Sequence, residues 1–176
     1  MIILGIDPGI AKVGYGIVEK ENRQSEPCLV VYGCIKTKSS EVFSKRLLKI
    51  YQDLKKIIKR YKPDLLAIEN IYFAKNTKTA INVAKAIGII LLAAEEAKLP
   101  LVEISPLQIK QSLTTFGRAD KKQVQEMVKI FLKMKKIPEP DDAADALAIA
   151  LTATQYKGLG PTPSFRSKRG GAQNCE

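Results

Sequence analysis

The order of apolar and polar positions divides the chain into short strand-like segments and longer helix-like segments. The first three strand-like runs lie at residues 1–7, 12–18 and 28–35. Pro8-Gly9 is a turn pair, so the first two runs are expected to form a hairpin, with a second hairpin loop over the polar residues 19–27. Between residues 42 and 61 the apolar positions recur at the helical period, which predicts an amphipathic helix.

Beyond this helix, strands and helices alternate. Apolar runs at 65–68 and 101–104 are too short for helices and predict buried strands. Further helices are predicted at residues 77–98, 106–116, 121–136 and 142–156, the third of them starting with an Asp120–Gln123 capping box. Three strands in hairpin order, followed by this alternation, indicate an α/β domain with a mixed five-stranded sheet flanked by helices.

The predicted helix at 77–98 has an unusual centre, because residues 86–94 are all apolar or glycine. A helix that is apolar all round must be covered on more than one side. The sheet can cover one side. The other cover is either an adjoining helix of the same chain or a second subunit, and the sequence leaves both open.

Composition places these elements in one globular domain. The chain has 176 residues, 45% of them hydrophobic and 27% charged. We expect the domain to span residues 1–156, and residues 157–176, rich in Gly, Pro, Ser and basic residues, to form a disordered basic tail. No signal-peptide pattern and no apolar run of about 20 residues is present, which predicts a cytoplasmic protein without membrane association.

Charge and the missing residue types narrow the function. A net charge of +11 predicts attraction to a polyanion, although a lysine-rich surface can also reflect solubility or thermal adaptation. Nucleic acid is favoured over a membrane surface because no basic amphipathic helix with Trp anchors is present. Histidine is absent, which excludes Ser-His and Cys-His nucleophiles. The 3 cysteines lack CxxC spacing and suggest neither a disulfide framework nor a zinc site.

Acidic residues at the ends of buried segments are the candidate chemistry. Asp7 ends the first strand, Glu69 follows the apolar run at 65–68, and Asp142 and Asp145 share one face of the last helix. A buried carboxylate is costly unless a cation compensates it. Asp7 alone could instead be a turn former, and Asp142 could simply complement the helix dipole. Together, all-oxygen ligands favour Mg²⁺ or Mn²⁺, and two such ions about 4 Å apart can activate water for phosphodiester hydrolysis.

Three motifs in this order resemble the RuvC family of bacterial Holliday-junction resolvases. They are ILGIDPG, AIE followed by an aromatic residue and AKN, and DAADALAIA, and the similarity runs in one register from residue 1 to 155. The resemblance implies a ribonuclease-H-like fold, a homodimer and Mg²⁺-dependent nicking of two opposed strands of a four-way DNA junction during recombination and repair. It also implies a branch-migration complex of the RuvA and RuvB type as partner. By this match the metal-binding and catalytic acids are Asp7, Glu69, Asp142 and Asp145.

The same resemblance assigns supporting roles to basic and aromatic residues. Lys110 and Lys121 match basic positions near the scissile phosphate, where each would neutralise charge in the transition state. Tyr72 matches an aromatic residue that stacks at the junction centre, and Lys75 and Lys78 follow it as DNA-binding candidates. For Tyr72, packing into the core is the alternative.

One position departs from a simple match. The sequence is PDDAADA, so Asp141 precedes Asp142 and lies a full turn before Asp145 on the same helical face. The D-A-A-D spacing of the family selects Asp142. Asp141 is left as a second candidate ligand or as a helix cap.

Two other classes of protein compete with a structure-selective endonuclease. Kinases and ATPases of the actin-like superfamily also begin with an apolar strand, Asp and Gly, but they need roughly twice this length and a second glycine-rich phosphate loop. A junction-binding protein without catalysis would not need all four acids.

Overall fold

The computed structural model describes residues 1–22, 24–70 and 77–155. Its strands are β1 (Ile2–Asp7), β2 (Lys12–Glu19), β3 (Cys28–Lys36), β4 (Leu65–Glu69) and β5 (Leu101–Ile104). Its helices are α1 (Phe43–Tyr61), α2 (Thr77–Glu96), α3 (Pro106–Thr114), α4 (Lys121–Phe131) and α5 (Asp141–Ala153). The predicted order of strands and helices is confirmed.

The five strands form one mixed sheet in the order β3-β2-β1-β4-β5. β2 pairs antiparallel with β1 and with β3, whereas β4 pairs parallel with β1 and with β5. Parallel strands end at the same edge of a sheet, so the last residues of β1 and β4 lie side by side.

Alternating side chains along the strands supply a separate core on each face of the sheet. Ile3 and Ala67 belong to the core that contains α5 and residues of α3 and α4. Leu4, Ile6 and Ile68 belong to the core that contains residues of α1 and α2. This alternation determines which face each strand-end residue points to, because successive side chains of a strand point to opposite faces.

Helix α5 lies unusually close to the sheet. A Cβ atom on Gly5 would overlap the carbonyl oxygen of Ala146, and one on Gly14 would overlap the carbonyl oxygen of Asp142. Glycine at these strand positions therefore lets the helix backbone approach the strand backbone directly. The contact fixes the N-terminal turn of α5 beside the ends of β1 and β4.

The C-terminal ends of four helices differ from the prediction. α2 ends at Glu96 instead of residue 98, and α5 ends at Ala153 instead of residue 156. We expected α3 to reach Phe116 and α4 to reach Lys136, but they end at Thr114 and Phe131. Thr115 and Lys133 adopt the left-handed conformation with φ of 59° and 51°, which stops α3 and α4. Glycine usually takes this position, so the sequence contained no indication of these two ends. The predicted Asp120–Gln123 capping box is confirmed.

Helix α2 is covered on one side by the same chain. Ala86, Ile90 and Ala93 are buried in the core shared with α1. On the other side, Gly88 is exposed and Leu92 retains 51% of its accessible surface. The adjoining helix α1 therefore covers one apolar side of α2, and an apolar strip on the other side of α2 stays uncovered in the single chain. None of the helices in the described ranges combines the length and apolar character needed to cross a membrane.

Candidate active site

Asp7 and Glu69 are neighbours because β1 and β4 are parallel. Ile6 and Ile68, the residues just before them, are paired across the two strands. Both isoleucines point into the α1–α2 core, so the next side chain on each strand points to the opposite face, towards α5. The two carboxylates therefore meet at the edge of the sheet beside the start of α5.

The first turns of α5 bring further carboxylates to the same edge. Asp142 forms an ion pair with Lys12 of β2, with 3.5 Å between Nζ and Oδ2. Asp145 forms a shorter pair with Lys121 of α4, at 2.8 Å. Asp141 also pairs with Lys121, at 3.4 Å. The last two pairs join the starts of α4 and α5.

The helix-cap alternative for Asp141 is wrong. Asp141 is the first residue of α5, the N-cap is Pro140, and no side chain caps this helix end. Its carboxylate instead accepts a hydrogen bond from Nε2 of Gln125 at 3.3 Å, in addition to its ion pair with Lys121.

Burial and mutual repulsion perturb the acids of this cluster. Burial, together with the charges of Glu69, Asp145 and Asp142, raises the pKa of Asp7 to about 7. Burial also raises the pKa of Glu69, with a smaller contribution from Asp145. The pKa of Asp145 is raised by burial although Lys121 opposes the shift. Without a bound cation, the cluster holds more negative charge than its lysines neutralise.

The surrounding negative charge also raises the pKa of Lys121, which favours the charged form of this lysine. Burial lowers its pKa, but the hydrogen bond and charge of Asp145 and the charge of Asp141 outweigh burial and raise the pKa overall. The ammonium group therefore stays protonated beside the acids. Asp145 and Asp141 hold it there by direct ion pairs.

The donor atoms of these acids suit a hard divalent cation, and two of the acids are paired with lysines. All the candidate ligands are carboxylates, and the charges of Glu69, Asp145 and Asp142 each raise the pKa of Asp7. In the described part of the chain, no group of three or more acidic or cysteine side chains is arranged so that it could already hold a metal ion. Asp142 and Asp145 are bound instead to Lys12 and Lys121.

A cleft of about 180 Å³ opens beside the cluster. Glu69, Asp145, Lys110 and Lys121 line it, so it joins two of the predicted acids with both predicted phosphate-binding lysines. Its remaining walls are residues of α3, α4 and α5, mostly apolar: Pro106, Ile109, Val124, Ala148 and Ile149. The cleft therefore presents positive and negative groups together over an apolar floor.

The predicted DNA-binding residues after Glu69 lie largely outside the described ranges. Tyr72 and Lys75 fall between residues 70 and 77, and Lys78 lies in the first turn of α2 with a side chain that is not described. Sequence reasoning also missed two residues, Lys12 and Gln125. Lys12 is one of many lysines and Gln125 one of several glutamines, and nothing local to either predicts its acidic partner.

Comparison with known proteins identifies the family of this chain. The family model described as crossover junction endodeoxyribonuclease RuvC matches residues 3–153. The chain belongs to the RuvC family. Two relatives called crossover junction endodeoxyribonuclease RuvC bear this out. The one from Brevibacillus brevis is 47% identical over 90% of this chain and 95% of its own length. The one from Caldicellulosiruptor saccharolyticus is 52% identical over 86% and 90%.

A solved RuvC structure extends the comparison to the fold. The RuvC of Thermus thermophilus, in complex with a Holliday junction substrate, matches with a TM-score of 0.82 and 36% identity. The match covers 86% of this chain and 92% of the other. The predicted ribonuclease-H-like fold is confirmed, and so is the resemblance to the RuvC family.

Proposed function

We propose that this RuvC-family protein resolves Holliday junctions by cutting two opposed DNA strands during recombination and repair. The observation that carries the proposal is the meeting of Asp7, Glu69 and Asp145 with Lys121 at one edge of the sheet, in a chain of the RuvC family. Phosphodiester hydrolysis needs oxygen ligands for a cation and cations for the phosphate. This edge supplies both.

Mg²⁺ is the proposed cofactor, with Mn²⁺ as a substitute and two ions per site. Asp7, Glu69, Asp142 and Asp145 would hold it, in agreement with their all-carboxylate chemistry. When bound, Mg²⁺ supplies an activated water and stabilises the leaving oxygen. The pKa of Asp7 is raised to about 7, so this carboxyl loses its proton most readily when a bound cation compensates the negative charge of the carboxylate.

Lys110 and Lys121 are the proposed phosphate-binding residues of the cleft. Both line it beside Glu69 and Asp145, and each ammonium would neutralise charge that develops on the phosphate. Tyr72, Lys75 and Lys78 follow Glu69 in the sequence, and we assign them to contacts with the junction. The nuclease domain would end near residue 156, and residues 157–176 would add basic charge beyond it.

A homodimer fits the exposed face of α2. Ile81, Ala84, Gly88 and Leu92 recur at helical spacing, and all are exposed in the single chain. Small residues in such a strip allow two helices to approach closely. A two-fold dimer would present two identical sites to a junction of near two-fold symmetry. The branch-migration complex of the RuvA and RuvB type is the proposed partner that delivers the junction.

A synthetic mobile four-way junction tests the proposal directly. Each strand is labelled in turn, and the cut positions are mapped with Mg²⁺, with Mn²⁺ and with EDTA. We expect paired nicks at symmetric positions in opposed strands, in either metal and not in EDTA. Linear duplex of the same sequence is the control substrate and should stay intact.

The cut pattern separates the proposal from its rivals. Binding of the junction by the wild-type protein without nicking would identify a junction-binding module. Nicks that are not paired would argue against the dimer. Equal cutting of the linear duplex would remove the selectivity for junctions.

A further inference from the structure

Asp141 uses both of its carboxylate oxygens to join two helices. Oδ2 pairs with the ammonium of Lys121 at 3.4 Å, and Oδ1 accepts a hydrogen bond from Nε2 of Gln125 at 3.3 Å. Lys121 and Gln125 are four residues apart, so they lie on one face of α4. Gln125 as a whole residue is only 8% exposed, so its amide is a fixed anchor. The side chain of Asp141, in contrast, is 69% exposed.

Lys121 needs such a partner because of its place in α4. It is the first residue of that helix, where the helix dipole is positive and disfavours an ammonium group. Asp145 also pairs with it, at 2.8 Å, but Asp145 is a proposed metal ligand. A cation that took over the Asp145 carboxylate would leave Asp141 as the acidic partner that this structure gives Lys121.

We propose that Asp141, anchored by Gln125, is a positioning residue that keeps the ammonium of Lys121 in the catalytic cleft, and that it is not a metal ligand. The inference rests on the proposed function and extends it, because it separates the two neighbouring acids of PDDAADA by role. Asp142 faces Lys12 and the end of β1, whereas Asp141 faces α4. An exposed ion pair contributes little to stability, so the role of Asp141 is to direct Lys121.

Asp141→Asn is the first test, since it removes the charge and keeps the shape. Under single-turnover conditions with saturating Mg²⁺, we expect the cleavage rate constant to fall about tenfold to a hundredfold. The Kd for the junction and the Mg²⁺ concentration for half-maximal rate should stay within about twofold of wild type. Gln125→Met, which removes the amide and keeps the volume, should lower the rate in the same direction by a smaller factor.

A double-mutant cycle shows whether Asp141 acts through Lys121. Lys121→Met should slow cleavage by about a hundredfold or more, and adding Asp141→Asn to it should cause no further loss, because the residue to be positioned is gone. Glu126→Gln is the matched control. It removes an acidic charge from the same helix, where Glu126 pairs with Lys129, and should leave the rate unchanged.

A measurement that needs no catalysis completes the design. In the metal-free protein, the ¹⁵Nζ and ¹³Cε NMR signals of Lys121 should shift in Asp141→Asn and in Gln125→Met, and stay in place in Glu126→Gln. If wild-type protein fails to cut the junction while these shifts appear, the proposed function fails and the positioning contact stands.

Three results would overturn the inference. The first is an unchanged rate in Asp141→Asn. The second is a large rise in the Mg²⁺ concentration required by that variant, which would make Asp141 a metal ligand. The third is an equal loss of cleavage rate when Asp141→Asn is introduced into the wild-type protein and into the Lys121→Met variant, which would mean that Asp141 acts independently of Lys121.

Discussion

The two faces of the sheet are built by different rules. On the α5 face, Gly5 and Gly14 let the helix backbone touch the strands. On the α1–α2 face, large aliphatic side chains such as Ile50 and Leu54 fill the space between helix and sheet. The first face carries the acids of the candidate site, and the second carries none of them.

The two faces therefore differ in how much substitution they tolerate. Aliphatic side chains can repack around small changes in volume, so the α1–α2 face tolerates variation in helix position. Backbone contact leaves no such freedom, because neither surface can yield. The α5 face therefore holds Asp142 and Asp145 in register with Asp7, and its residues are the ones with the least room for substitution.

The largest expected contrast between the faces is in catalysis. Asp7→Asn should lower junction cleavage by more than about a thousandfold, because it removes a proposed metal ligand, while junction binding remains. Asp53→Asn, in the exposed ion pairs of α1, is the control and should cut normally. Cleavage and Kd on the same labelled junction check both. If the Asp7→Asn variant cut at the wild-type rate, the assignment of Asp7 as a metal ligand would be wrong.

The next contrast is in stability. Gly14→Ala should destabilise the protein by more than about 4 kcal/mol, because its Cβ would overlap the carbonyl oxygen of Asp142. Urea unfolding followed by circular dichroism measures the loss. A loss below about 1 kcal/mol would mean that α5 can move away from the sheet, and cleavage by that variant would then show how closely the acids must be held.

The acids should also make the metal-free protein sensitive to pH. The folded pKa of Asp7, about 7, lies above the ordinary aspartate value of 3.8, so between pH 3.8 and 7 the folded state binds more protons than the unfolded state. The free energy of unfolding should therefore fall by about 2 to 4 kcal/mol as pH rises from 4 to 7. The raised pKa values of Glu69 and Asp145 act in the same direction.

Thermal melts across this pH range, with and without Mg²⁺, test the shift. Mg²⁺ should restore stability at pH 7 and above, and Asp7→Asn should flatten the pH dependence. A free energy of unfolding that rises between pH 4 and 7 would contradict the assignment of a protonated Asp7.

The smallest contrast concerns Gly88, on the exposed side of α2. A Cβ there meets nothing within 4 Å, so Gly88→Ala should stabilise the single chain by about 1 kcal/mol through helix propensity. Thermal melts at several protein concentrations provide the measurement. A destabilisation that grows with concentration would show that a second subunit covers this position, in support of the proposed dimer.

Local patterns were sufficient for the elements of the fold. Hairpin order, helical periodicity and the Asp120–Gln123 capping box each depend on residues close in sequence, and each is confirmed. The ends of α3 and α4 were wrong because Thr115 and Lys133 take a left-handed conformation that their residue types rarely adopt.

Much of the candidate site was also accessible, since Asp7, Glu69, Asp142, Asp145, Lys110 and Lys121 were all named from the sequence. Two of its contacts were not accessible. Lys12 reaches Asp142 across 130 positions of the sequence, and Gln125 reaches Asp141 across 16. Neither pair is related by the periodicity of a helix or a strand, and neither lysine nor glutamine is a distinctive residue type in this chain.

The sequence by itself therefore determined the order of elements, the chemistry of the acids and the family. Only the tertiary structure decided which acids share a partner, because ion pairs between separate helices depend on how closely those helices pack. The backbone contact at Gly14 sets the position of α5. That position places Asp141 against α4 and Asp142 against β2, so two adjacent aspartates have different surroundings.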